Sequence, residues 1–236
     1  MSAKNSTIHS SSVSSAGFHS SILASEAGEG QGLPSPALRP SVELFQELMP
    51  ANAVVVDVET TGLHSERNSL IEIGARFPDG DICQFDFRPR PGAAIDAEAL
   101  EVNGWTLNRL DEIECGYYEG VAHFFDWLKP HGNKLIMAGL NPAKFDLAFL
   151  VKAWSDLGRN PRWFPFSHRV IDLQTLAITY AILRGTPVPD RGFSCDDISR
   201  LLGIPQELRP HRAWRGATWC SEGIAKVYET LRHHSF

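Results

Sequence analysis

The chain of 236 residues has no excess of positive charge: 22 Lys and Arg stand against 28 Asp and Glu, a formal net charge of -6. A protein that coats long nucleic-acid tracts needs a basic field to displace counterions. That class is disfavoured, while an enzyme that grips only a strand end stays open. Cysteine is also sparse. Cys83, Cys115, Cys195 and Cys220 form no CxxC pair and have no close His/Cys cluster, so a zinc site is not expected and scattered, reduced, mostly buried thiols are. No apolar run approaches the ~18 residues of a membrane span. The N-terminus lacks a continuous apolar stretch after a basic start, which a secretory signal requires. These absences together lead to the expectation of a soluble, cytoplasmic protein without membrane contact.

What is present divides unevenly. Residues 1–40 are rich in Ser, Gly, Ala and Pro without a helical or strand period. Such a segment buries too little apolar surface to offset its ordering entropy, and a disordered tail is expected. Its Ser-rich start is similar to an organelle transit peptide, against which the near absence of early Arg speaks. Residues 41–236 read as one globular domain. Ser41 suits the cap of a short helix through Leu48. The β-branched run Val54–Val56 predicts a strand buried on both faces. Ser69–Phe77 and Asp81–Phe87 alternate apolar and polar residues around Pro78-Asp79-Gly80, a strong hairpin signal. Helical periods follow at Tyr118–Leu128, Ala143–Leu157, Leu173–Leu183, Ser194–Leu202 and Arg212–Leu231, with short strands predicted at Lys134–Ala138 and His168–Ile171. The order predicts an α/β fold: three antiparallel strands, then parallel ones, in a mixed sheet flanked by helices.

Three sites carry candidate chemistry. The first is Asp57-Val58-Glu59-Thr60-Thr61-Gly62, at the end of the buried strand. Acids two residues apart on a strand share a face, and two such charges beside a hydrophobic strand are costly unless a cation neutralises them. Oxygen ligands of this kind suit Mg²⁺ or Mn²⁺. The second is Asn141-Pro142-Ala143-Lys144-Phe145-Asp146, which places Asp146 in the first turn of a helix, where the dipole favours an acid. Phe145 and Phe149 pack inward there and leave Asp146 facing the strand tip. The third is His211-Arg212-Ala213 before the last helix. A histidine can take a proton from water near neutral pH.

Taken in order, strand-DxET-hairpin, FDxxFL on a helix and His-Arg-Ala opening a final helix, the chain resembles the DEDD exonucleases of the ribonuclease H-like fold, DEDDh branch. That family includes the proofreading subunit of bacterial DNA polymerase III and ribonuclease T. The resemblance covers roughly residues 52–232. It implies 3′→5′ hydrolysis of terminal phosphodiester bonds with two metal ions, Mg²⁺ or Mn²⁺. Asp57 would bridge both ions, Glu59 would bind one, and Asp146 would hold the second, partly through water. His211 would be the general base. Thr60, Thr61 and Gly62 would contact the terminal nucleotide through the main chain, with Leu63 as a wedge against the last base and Phe145 beside it. Val102-Asn103-Gly104-Trp105-Thr106 would lie near the same nucleotide. The implied partners are a nucleic-acid 3′ end, single-stranded DNA or RNA, and a polymerase or other protein.

The chain departs from the family pattern mildly at Asn141-Pro142, where many members have His-Asn, and more seriously in the last motif. An aspartate is wanted five residues after the histidine, and Gly216 stands there. Losing a direct ligand should cost orders of magnitude in rate. Glu222 lies ~9 Å further along the helix and on nearly the opposite face. Nothing in the local sequence accounts for the glycine. Two readings stay open: an exonuclease weakened by a reduced ligand set, or an inactive exonuclease-fold module that binds 3′ ends or a protein partner.

Overall fold

The computed structural model describes residues 41–233, and the tail expected at residues 1–40 lies outside them. After helix α1 (Ser41–Leu48), strands β1 (Ala53–Thr60), β2 (Leu70–Arg76) and β3 (Ile82–Asp86) run as an antiparallel meander. The Phe77 N–H donates to the Asp81 carbonyl at 2.9 Å and closes the expected turn between β2 and β3. Strands β4 (Leu135–Gly139) and β5 (Phe166–Asp172) add in parallel on the other side of β1. The sheet order is β3-β2-β1-β4-β5, the mixed α/β arrangement expected from the sequence.

Two helices, α2 (Ala97–Asn103) and α3 (Leu107–Asp111), follow β3; α4 (Tyr117–Leu128) precedes β4, and α5 (Asp146–Asp156) joins β4 to β5. The chain ends with α6 (Leu173–Leu183), α7 (Cys195–Leu202) and α8 (Ala213–His233). Successive residues of β1 serve opposite faces of the sheet. Val54, Val56 and Val58 join a core with Phe124 and Leu128 of α4 and Phe149 and Leu150 of α5. Ala53 and Val55 join a second core with Leu173 of α6, Ile198 of α7 and Ala217 and Ile224 of α8. The two-residue period carries Asp57 and Glu59 onto this second face, toward α8.

Local signals fix several boundaries. Ser194 and Asp197 form a reciprocal capping box at the start of α7, with N–H···O distances of 3.2 and 2.9 Å, and Gly203 ends the helix at φ 66°. Asp172 accepts the Gln174 N–H at 3.1 Å and caps α6. Helix α5 begins at Asp146 rather than Ala143, because Asn141 takes a left-handed φ of 54° and turns the chain first. Two features go beyond the sequence reading. Every residue of β2 is buried, although the sequence alternates polar and apolar positions. Ile71 lies under Leu100 of α2, Leu110 of α3 and Trp105 between the two helices. Those helices, too short to show a period, were not foreseen. Among the described residues no helix is long and apolar enough to cross a membrane.

Candidate active site

Asp57, Glu59 and Asp146 line one cavity of about 270 Å³, beside which His211 and Gly216 also lie. Glu59 is 8% exposed and Asp146 3%. Burial pushes the Asp57 carboxyl well above its ordinary value, and the charges of Asp146, Glu59 and Glu207 push it further. Glu59 is raised to about 8, first by burial and then by Glu72 and Glu207, with Arg212 opposing. Burial lifts Asp146 to about 7, against the main-chain N–H groups of Asp146 itself and Val58.

Among the described residues, the carboxylates of Asp57 and Glu59 have no hydrogen-bond or ion-pair partner. A half-buried Asp57 and a buried Glu59 that repel one another and find no donor are the oxygen set a hard divalent cation takes. No three His, Cys, Asp or Glu side chains among the described residues stand as a finished cage, so wrapping an ion requires side-chain rotation, but the donor chemistry fits one. The thiols beside the cavity do not compete. Burial raises Cys195 to about 11 and lifts Cys220 still more clearly, with the carboxylates adding to both.

His211 sits in the loop between α7 and α8. Its Nδ1 meets Glu207 Oε1 at 2.9 Å, which places the proton on Nδ1 and leaves Nε2 as the basic nitrogen. The His211 main-chain N–H reaches the Val102 carbonyl at 3.4 Å and ties the loop to the end of α2. Glu207 also lines the cavity. The sequence analysis missed it; an acid four residues before a histidine was the only signal, and a weak one.

Glu72 was missed as well. Fully buried opposite Glu59 in the β1–β2 register, it accepts the Ala213 N–H at 2.9 Å and the Trp105 indole N–H at 3.2 Å, and pairs with Arg212 Nε at 2.9 Å. It thereby fastens the first turn of α8 to the sheet. Gly74, next on the same face of β2, has no room for a Cβ because the main chain of Ala213 and Trp214 lies against it. At Gly216 the neighbour is a side chain instead: a Cβ there would overlap the Asp57 carboxylate, which would have to turn aside. Glu222 is turned away from the cavity, with Arg76 as its charged neighbour.

The turn after Glu59 is pinned on several sides. Thr60 Oγ1 donates to the Gly62 carbonyl at 2.6 Å, and Thr61 Oγ1 donates to Ala94 O at 2.7 Å while accepting the Ser69 N–H at 2.9 Å. Asn103 Nδ2 holds the Thr60 carbonyl at 3.1 Å. Leu63 stands at the cavity with 74% of its surface exposed, and Phe145, packed on Phe149 at 5.1 Å between ring centroids, lines the cavity wall. Trp105 is a packed residue beneath Arg212, whose guanidinium lies 4.7 Å from the ring.

The family model described as RNase_T, exonuclease, matches residues 54–217. The chain is 29% identical over 184 residues to a DNA polymerase III PolC-type of Thermotoga petrophila, a match covering 77% of this chain and 12% of that protein. It is 34% identical over 131 residues to ribonuclease T of Shigella boydii serotype 4, covering 48% of this chain and 60% of that protein. The chain thus spans less than two thirds of the length of each of these relatives. Among solved structures, E. coli exonuclease I in complex with a dT13 oligonucleotide superposes with a TM-score of 0.62 at 18% identity, over 75% of this chain and 40% of that one. A zinc-bound form of the same enzyme with single-stranded DNA superposes at 0.61 and 17% identity, over 76% and 40%. These likenesses establish the ribonuclease H-like fold.

Proposed function

Because this chain belongs to the RNase_T exonuclease family, we propose that it removes nucleotides from the 3′ end of single-stranded DNA or RNA in a metal-dependent hydrolysis. The observation that carries the reading is the meeting of Asp57, Glu59 and Asp146 with His211 around one cavity. Asp57, Glu59 and Asp146 would hold the divalent cations, Mg²⁺ or Mn²⁺, with two ions expected from the resemblance. When bound, such ions supply positive charge to the attacking and leaving oxygens of a phosphoryl displacement.

The chain's own residues do the rest. His211, oriented through Nδ1 by Glu207, presents Nε2 to take a proton from the attacking water. The main chain of Thr60, Thr61 and Gly62 and the side chain of Phe145 position the terminal nucleotide. Exposed Leu63 separates its base from the neighbour. The PolC-type relative supports a polymerase as protein partner. The free cysteines among the described residues suit a reducing compartment, and we place the activity in the cytoplasm.

A 5′-labelled single strand incubated with Mn²⁺ should give a ladder of progressively shorter labelled products, and blocking the 3′ end should stop it. Release of the label as the first product would refute 3′→5′ polarity. The absence of cleavage on every single-stranded DNA and RNA would favour the second reading, an inactive module that binds 3′ ends or a protein partner, for which Gly216 is the motivating observation.

A further inference from the structure

At position 216, where the resemblance implies an aspartate, the Asp57 carboxylate fills the space. The Asp57 carboxylate lies where a Cβ of residue 216 would sit, so α8 offers neither an acid nor the room for one without moving Asp57. A different acid reaches the same cavity. Glu207 comes from the loop between α7 and α8, and its side chain is 8% exposed. Its Oε1 accepts from His211 Nδ1 at 2.9 Å, while Oε2 has no hydrogen-bond or ion-pair partner among the described residues. Its charge is felt by both strand acids, raising Asp57 and Glu59. Glu59, nine-tenths buried and unpartnered, faces the same cavity. A buried acid would add only repulsion to this group unless a cation joined it.

We propose that Glu207 supplies, from the loop before α8, the metal-binding carboxylate that position 216 does not provide. The proposal rests on the metal-dependent reading above. One oxygen of Glu207 stays on His211 and the other turns to the ion, so a single side chain orients the base and completes the acidic set. Carboxylate oxygens of this kind suit Mg²⁺ and Mn²⁺. The departure at Gly216 is then a relocation of the ligand rather than its loss.

The test is Mn²⁺ binding to the full chain without nucleic acid, followed by electron paramagnetic resonance or calorimetry. Glu207→Gln is the informative variant: its amide oxygen still accepts from His211, while the oxygen offered to the ion becomes an NH2 that cannot ligate. We expect Mn²⁺ affinity to fall at least tenfold, or one ion to be lost from the stoichiometry. The rise in melting temperature that Mn²⁺ gives the wild type should shrink in parallel. Should the glutamine variant fail to fold, Glu207→Asp, which withdraws the carboxylate by one methylene, should still weaken Mn²⁺ binding severalfold. Wild-type affinity and stoichiometry in the variant that folds would overturn the role of Glu207 alone. A wild-type chain that binds no Mn²⁺ would overturn the metal-dependent function with it.

Discussion

Asp57, Glu59 and Asp146 are held where water solvates them poorly and each feels the others. Their raised values have a thermodynamic consequence. A carboxyl whose folded value lies above its unfolded one stabilises the fold while both states are protonated. That contribution is lost as pH rises through the folded value, because the unfolded chain releases its proton first. For Glu59 the window runs from its ordinary 4.5 to about 8. With a chelator present, Glu59→Gln should therefore gain in melting temperature relative to the wild type between pH 5 and pH 8.5. A constant difference across that range would show that Glu59 ionises as freely in the fold as in the unfolded chain. Glu72 belongs to the same scale but has found partners: burial raises it to about 7, and Arg212 and Trp105 act against the rise. An acid with such partners is a structural anchor, whereas Glu59, without one, is open to a cation.

At the scale of elements, β1 and the first turn of α8 define the site. Strand β1 brings two acids to one face by its two-residue period, and β2 fastens α8 above them through Glu72 and through the missing side chain of Gly74. A methyl group at position 74 would press on main chain, which cannot rotate aside. We expect Gly74→Ala to cost about 1–3 kcal/mol, the usual range for overpacking, measurable by urea denaturation. It should also lower turnover more than it weakens substrate binding, since the helix carrying the His211 loop must shift. Wild-type stability in this variant would mean that α8 is not seated against β2 as described. Element positions were largely legible in the sequence, because the β-branched run at Val54–Val56, the turn at Asp79-Gly80 and the Ser194 cap each act locally. The helices α2 and α3 were not. They are too short for a period, and they form because Leu100, Trp105 and Leu110 find Ile71 beneath them.

For the whole molecule, the same division between local and distant causes governs the site. Asp57, Glu59, Asp146 and His211 could be named because each sits in a short motif. Glu207 and Glu72 could not, since what brings them to the site is the path of a loop and the pairing of two strands. The crowding at Gly216 was illegible for the same reason: the carboxylate beside it belongs to Asp57, far away in the chain. The family match over residues 54–217 places the chain among exonucleases, and exonuclease I shares its fold. The claim that remains central is that the buried carboxylates perform metal-dependent hydrolysis. The most direct measurement is the rate of mononucleotide release from a 3′-labelled single strand, with Mg²⁺ or Mn²⁺ and with chelator, for the wild type and Asp57→Ala. We expect release that requires the cation and falls by at least about a thousandfold in the variant, as loss of a direct ligand should cost orders of magnitude. Release that persists in Asp57→Ala, or that ignores the chelator, would contradict this assignment of the site.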